Sequence, residues 1–323
     1  MTTVEPTPTA MAAEEPKPPA QPPRAGRDHV SFRDWMTGAA LLLPTVVMVL
    51  AVALYPVLRS VWMSFRNTSP ILREDNFIGV ANYGQLLADE GFRNAWLNTL
   101  WFTAVSTLIE TLLGLGIALV LNHPFRGRGW VRAVVLIPWA IPTVVTSRMF
   151  GFLLDGQSGV VNYLLLQVGL IDAPINFTGD VRFAMGTIIL ADVWKTTPFM
   201  ALLILAALQS VPPSLHESAA IDGASSWRRF LSITMPMIMP ALLIASLLRA
   251  LDAFRIFDLP YVLTGGGPAD STEVLSTLSY KTLFSGSQYG LGSATTVLMF
   301  LTEAAIAALF AIWIARRFKI LEG

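Results

Sequence analysis

The chain has 323 residues, of which 54% are hydrophobic and only 14% charged, and its 22 basic and 22 acidic side chains cancel. So few charges on so long a chain make a bilayer its expected solvent, and the even balance offers no basic face for nucleic acid. The absence of cysteine excludes disulfides, thiolate metal sites and cysteine nucleophiles, and His29, His123 and His216 have no neighbours at metal-ligand spacing, so no metal is expected.

Residues 1–30 carry seven prolines among Ala, Thr and Glu. They have no apolar periodicity, so the sequence predicts a disordered tail rather than part of a core. The first apolar run begins too late, and without a small-residue cleavage site, for a signal peptide. A six-span membrane domain is predicted over 31–323. A hydrocarbon core of about 30 Å needs about 20 apolar residues of helix, and six stretches qualify: 37–62, 96–121, 131–153, 184–209, 237–262 and 292–315. The second ends in "LGLGIALVL", small residues that suit close helix contact. The third carries Pro138 and Pro142 and is expected to kink.

Charge in the short loops predicts orientation. Arg126, Arg128 and Arg132 follow the second span, Arg228 and Arg229 precede the fifth, and Arg316, Arg317 and Lys319 follow the sixth. Loops 154–183 and 263–291 each hold a single basic residue, Arg182 and Lys281. Both termini are therefore expected in the cytoplasm, together with the loop 211–236.

That loop contains "HESAAIDGASSWRRF" (216–230). Ser214 and Glu217 have the spacing of a capping box, Pro212 and Pro213 stop the fourth span from running on, and Gly223 suits a left-handed helix end. A second helix is expected from Ser225 or Ser226, broken by Pro236 before the fifth span. Small residues at the centre let a partner approach the backbone. The same stretch, with Trp227 and two arginines, also fits a helix lying on lipid headgroups.

Charged residues inside spans are costly. Asp192 and Lys195 are three apart and can pair on one helix face. Arg249, Asp252, Arg255 and Asp258 alternate in sign every three residues, so Asp252 can pair with either arginine. With Glu110 and Glu303 these groups either hold the bundle together or line a water-filled pathway. The candidate pathway residues are Asp192, Lys195, Asp252 and Arg255, with Trp194 and Phe254 as aromatic companions. Thr264, Gly265, Gly266 and Gly267, ahead of Pro268, permit an irregular backbone at the outer mouth, either a plain turn or a contact loop. No Gly-x-x-x-x-Gly-Lys-Ser/Thr run occurs, so the chain is not expected to hold ATP.

The register Glu217-Ser218-Ala219, then Gly223, then Ile233-Thr234-Met235-Pro236 resembles the EAA motif of binding-protein-dependent ABC importer permeases. The longer form in carbohydrate importers is matched by Glu217, Ala219, Ile221, Asp222, Gly223 and Ala224; Ser218 stands for the first Ala and Met235 for Leu. "FIGVANYGQLLADEGFRNAWLNTLWFT" (77–103) and "FRIFDLPYVLTGGGPADST" (254–272) are similar to further segments of sugar permeases, so the likeness covers about 35–320. The tail also resembles that of actinobacterial trehalose importer permeases.

The resemblance implies an all-α integral membrane protein with six spans, the type I importer permease fold and a cytoplasmic coupling helix. It implies a permease subunit for a carbohydrate such as a di- or oligosaccharide, not itself an enzyme. ATP and magnesium would be held by two ATPase subunits that dock on Glu217, Ser218, Ala219, Ala220, Asp222, Gly223, Ala224 and Phe230. A second homologous permease would complete the pathway in the bacterial inner membrane. An extracytoplasmic sugar-binding protein would meet Thr264–Gly267. An ion-coupled secondary transporter is the alternative, and it would need no such cytoplasmic helix.

Overall fold

The computed structural model describes residues 32–71 and 73–319; the proline-rich stretch 1–30 lies outside the described residues. The chain divides into two units, Met1–Tyr55 and Pro56–Gly323. In the first, helix α1 (Phe32–Val49) carries Pro44 inside it and passes into a wide helical turn over Leu50–Leu54. Leu41, Leu42, Leu43, Val47 and Met48 are exposed, which suits a helix whose solvent is hydrocarbon. Trp35–Ser64 is long and apolar enough to cross a bilayer.

The second unit opens with the body of α2 (Tyr55–Ser64) and a short hairpin that the sequence reading did not anticipate. Strands β1 (Arg66–Ser69) and β2 (Glu74–Phe77) pair antiparallel, with Arg66 opposite Phe77. The Arg66 side chain reaches Asp75 at 2.7 Å and holds that carboxyl below its ordinary range. In α3 (Ala81–Ala88), buried Asn82 donates to the carbonyls of Ser64 and Arg66 at 2.8 and 2.9 Å, fastening the hairpin to the bundle.

Helix α4 (Glu90–Asn122) begins at Asp89, whose carboxylate accepts the Phe92 amide at 2.7 Å. It runs six residues ahead of the predicted span. The third span is a bent pair. Helices α5 (Arg128–Val135) and α6 (Ile137–Ala140) meet α7 (Thr143–Leu153) at 89°. Ile141 is extended, as a residue ahead of a proline prefers, so the break falls between the two prolines. A short helix, α8 (Val160–Gln167), precedes α9 (Val181–Gln209), which is capped by Asp180. Beyond α9 come α10 (Pro213–Ile221), α11 (Ser226–Arg229), α12 (Met235–Phe254), α13 (Asp258–Leu263), α14 (Leu275–Tyr280) and α15 (Tyr289–Lys319).

Two expectations about the fifth span are corrected. Pro236 does not break it: α11 flows through a wide turn over Phe230–Thr234 into α12, and Pro236 sits in the first turn of α12, where its missing N–H is least costly. The interruption comes later. Arg255 and Phe257 leave helical geometry, so α12 and α13 are separate pieces.

The bundle is organised around α9. In its most apolar window 61% of residues are buried, against 28% for α4 and none for α15. Gly114 makes the closest approach: a Cβ there would stand 3.0 Å from Met200 Cβ and 3.2 Å from the Ala201 nitrogen, whereas one at Gly116 would meet nothing. One apolar cluster (Leu121, Met200, Ile204, Ile238) fills the end near α10, and another (Phe102, Ile188, Leu259) fills the opposite half. Between these lies a polar layer.

Candidate functional site

The loop after α9 forms a small rigid device. Extended Pro212 is the cap of α10 and Pro213 its first residue, so Ser214 already lies in the helix and makes no capping bond. The expected Ser214–Glu217 box is therefore absent, because a proline at the first helical position nucleates the turn one residue early. The far end behaves as its glycine predicts. The Gly223 amide donates to Ala220 O at 3.1 Å and the Ala224 amide to Ala219 O at 2.9 Å, with Gly223 at φ +77°. A Cβ at Gly223 would meet nothing within 4 Å, so the glycine serves backbone conformation rather than space.

Ser225 caps α11 by accepting the Arg228 amide, and Arg229 donates back to His216 O at 3.3 Å. Glu217, Ser218, Ala220, Asp222 and Gly223 are exposed; Ala219 and Ala224 are half-buried. Ile221 is 87% exposed, a large apolar side chain held out at the tip. Phe230 stacks on Trp227 at 5.6 Å and packs against the apolar cluster below. A cavity of about 640 Å³ opens between this loop and the ends of α4 and α9, lined by Asn122, His123, His216, Glu217 and Arg229.

The polar layer centres on Arg249. Its guanidinium contacts Glu110 on α4, through both Nε and Nη2, and Asp192 on α9, and all three residues are at least nine-tenths buried. Nη1 reaches Asp252 at 3.3 Å, and the Asp252 side chain is 73% exposed. Asp192 thus pairs with Arg249 rather than Lys195. Of the two arginines, Asp252 takes Arg249, since Arg255 turns to Glu303 on α15 at 3.2 Å.

Above this layer lies a polar cavity of about 210 Å³ bounded by Asp192, Lys195, Asp252 and Arg255. Trp194 and Phe254 are not there. Trp194 packs edge-on against Phe150, and Phe254 is 1% exposed in a third apolar cluster with Phe92 and Leu275. Each is two residues, about 200° around the helix, from the aspartate it was to accompany, whereas Lys195 is three away and shares a face. Thr143, Thr196, Phe257 and Asp258 are also in the lining. The sequence reading places Asp258 in the charged stripe but not among the pathway residues, and it does not single out Phe257. The break at Arg255–Phe257 brings both into the lining, and the Pro260 that follows is a local signal of it.

At the other end of α12 from α10, the loop 264–273 is tightly held. Lys281 donates to Gly265 O at 2.8 Å and to Glu273 at 2.5 Å, and the Thr264 and Thr272 hydroxyls are 2.7 Å apart. Asn94 and Asn98 of α4 donate to Asp270 O at 2.7 and 3.2 Å. Gly266 has φ +88° and is buried, and a Cβ there would fall 1.8 Å from a Glu273 oxygen. Of the four predicted contact residues, Thr264 and Gly267 are half-buried and Gly265 faces outward.

Comparison with known proteins gives the family and the fold. The family model described as binding-protein-dependent transport system inner membrane component matches residues 110–320. The trehalose/maltose transport system permease protein MalF of Thermococcus litoralis is 41% identical over 84% of this chain and 91% of its own. The trehalose transport system permease protein SugA of Mycobacterium tuberculosis is 44% identical over 84% of this chain and 86% of its own. Among solved structures, a chain of a bacterial ABC transporter involved in import of the acidic polysaccharide alginate superposes with a TM-score of 0.78 at 27% identity, covering 88% of this chain and 96% of that one. A chain of a bacterial alginate ABC transporter in complex with an alginate pentasaccharide-bound periplasmic protein gives 0.76 at 28%, with the same coverage. With six spans, one of them a bent pair, on a type I permease fold, this chain belongs to the binding-protein-dependent ABC importer permeases, in their maltose/trehalose-type sugar branch.

Proposed function

We propose that this permease imports a disaccharide of the trehalose or maltose kind, with both termini in the cytoplasm, and that α10 is its coupling element. The observation that carries the reading is α10 itself: a nine-residue helix, exposed from Glu217 to Gly223 except at half-buried Ala219, stopped by a left-handed glycine, tied to α11 through Arg229 and to the bundle through Phe230. A rod fixed at its base and small-faced at its tip fits a groove in a partner and carries that partner's movement into α9 and α12. Two ATPase subunits, which hold ATP and magnesium, supply that movement, and this chain contributes no phosphate-binding loop. A second homologous permease brings the other docking helix and the other half of the pathway.

The polar cavity beside Asp252 supports a sugar route. Its exposed carboxylate, the Lys195 ammonium and the Thr143 and Thr196 hydroxyls offer hydrogen bonds of both senses to a polyhydroxyl ligand. The exposed Gly265 at the opposite end suits contact with a sugar-loaded binding protein. The names of the trehalose and maltose relatives support that sugar class.

The test is uptake of labelled trehalose and maltose into proteoliposomes carrying the assembled importer, its binding protein and internal ATP. Uptake is expected to require ATP, to persist when ion gradients are collapsed, and to fall with Asp252→Asn. Uptake driven by an ion gradient without ATP defeats the coupling reading; failure to carry either sugar defeats the substrate reading.

A further inference from the structure

Four aromatic rings lead away from the polar cavity in unbroken contact. Phe257 lines the cavity and stacks on Tyr261 with centroids 5.0 Å apart and planes 17° from parallel. Tyr280 meets both edge-on, each at 5.2 Å, and Phe284 follows Tyr280 at 4.9 Å. These residues come from two separate segments, α13 with its lead-in and α14 with the wide turn after it. None belongs to the three buried apolar clusters. Exposure rises outward: Phe257 and Tyr280 are half-buried, Tyr261 is 40% exposed and Phe284 62%.

Exposure alone does not separate ligand from lipid on a membrane-spanning chain; what marks these rings is that Phe257 lines the polar cavity while touching both Tyr261 and Tyr280. The two segments are also held in register. Lys281, next to Tyr280, donates to Gly265 O at 2.8 Å, and the Gly266 amide returns to Pro260 O, next to Tyr261, at 3.3 Å. The row therefore starts beside the loop assigned to the binding protein and ends in the cavity where the hydrogen-bonding groups begin.

We propose that Phe257, Tyr261, Tyr280 and Phe284 form an aromatic ladder that conducts a sugar ring from the outer mouth to the polar cavity. The inference rests on the sugar-import reading above. The C–H face of a pyranose packs on an aromatic face without demanding directed hydrogen bonds, so each rung holds the ring weakly and releases it to the next. Phe284, then Tyr280, then the stacked Phe257–Tyr261 pair that Tyr280 touches give the ring three successive stations, the last at the cavity whose polar groups receive its hydroxyls. Tryptophan and tyrosine also anchor membrane proteins at the headgroup level, and that role predicts a different outcome.

The experiment uses the complete importer in proteoliposomes, with its binding protein and trehalose or maltose as probe, and reads sugar imported per ATP hydrolysed together with the melting temperature. Tyr280→Leu and Phe284→Leu remove a ring and keep an apolar side chain; Tyr280→Trp and Phe284→Trp keep a face. The leucine variants are expected to import about fivefold less sugar per ATP, and the tryptophan variants to stay within about twofold of wild type, all at unchanged melting temperature. Leucine variants with wild-type yield per ATP overturn the ladder, as does an equal loss in leucine and tryptophan variants with a lowered melting temperature, which makes the rings packing elements. A lowered melting temperature in the leucine variants alone makes them interfacial anchors, a role tryptophan keeps, and overturns it too. Asp252→Asn separates the two readings. If it is impaired while the leucine variants are normal, the ladder alone falls; if all transport normally, or the wild type carries neither sugar, the underlying reading falls with it.

Discussion

Arg249 on α12 and Glu110 on α4 stand 139 residues apart in sequence and are joined by a double hydrogen bond, with both side chains buried. Asp192 on α9 shares the same guanidinium. One arginine therefore ties together three helices whose other contacts at this level are apolar or hydroxylic.

Removing one member of such a group leaves the others charged and unpaired in low dielectric. Arg249→Met is expected to destabilise the folded chain by about 3–5 kcal/mol and to lower the yield of detergent-stable protein. The triple variant Arg249→Met, Glu110→Leu, Asp192→Leu should recover much of that loss, because it removes the stranded charges as well. Thermal unfolding in one detergent compares the two; a single variant as stable as wild type would show that the cluster does not hold the bundle.

The glycine pair on α4 provides its own control. Gly114 lies against Met200 and Ala201, and Gly116 faces open space. Gly114→Val should cost about 1–3 kcal/mol through forced separation of α4 and α9, while Gly116→Val should be neutral or mildly stabilising. Equal melting temperatures for the two variants would contradict the packing described.

Gly223 has room for a side chain but not a backbone that welcomes one. Gly223→Ala is expected to cost about 1 kcal/mol locally and to weaken ATPase retention modestly. Gly223→Asp, which adds charge at the proposed docking face, should cut ATP-driven uptake by about tenfold or more with membrane insertion intact. Co-purified ATPase per permease is the measurement, with Glu217→Ala alongside. Full retention in both Gly223→Asp and Glu217→Ala would remove α10 from the coupling path.

Asp180 caps α9 outside the membrane. Side-chain hydrogen bonds from Arg182, then the Arg182 amide, hold its pKa down to about 2. A depressed folded value means the cap is fully present above the ordinary aspartate pKa of about 3.9 and is lost as pH falls through about 2. The carboxyl carbon shift of Asp180 should titrate near that lower value, and Arg182→Met should move the midpoint upward. A wild-type midpoint at the ordinary value would refute the pairing.

Much of this protein was readable along the chain because its signals are local. Apolar length marked the spans, the paired prolines marked the bend in the third, and Gly223 marked the end of α10, since each depends on backbone chemistry within a few residues. The EAA register belongs to the same class, because one short helix carries the whole motif. Other features were decided only by tertiary packing. Nothing in the sequence says whether Asp192 turns to Lys195 one helical turn away or to Arg249 on another helix; the guanidinium wins because it reaches three carboxylates at once, from a position where water cannot compete. Phe254 and Trp194 looked like companions of the aspartates beside them, yet a helix sends residues two apart to opposite sides. Phe257 and Asp258 entered the cavity because α12 stops at Phe254, and the aromatic row became continuous because the Lys281 clasp brings α13 and α14 together. Which face of a helix looks inward, and which distant segment it meets, is settled by the balance of burial and pairing across the bundle, and that balance has no local signature.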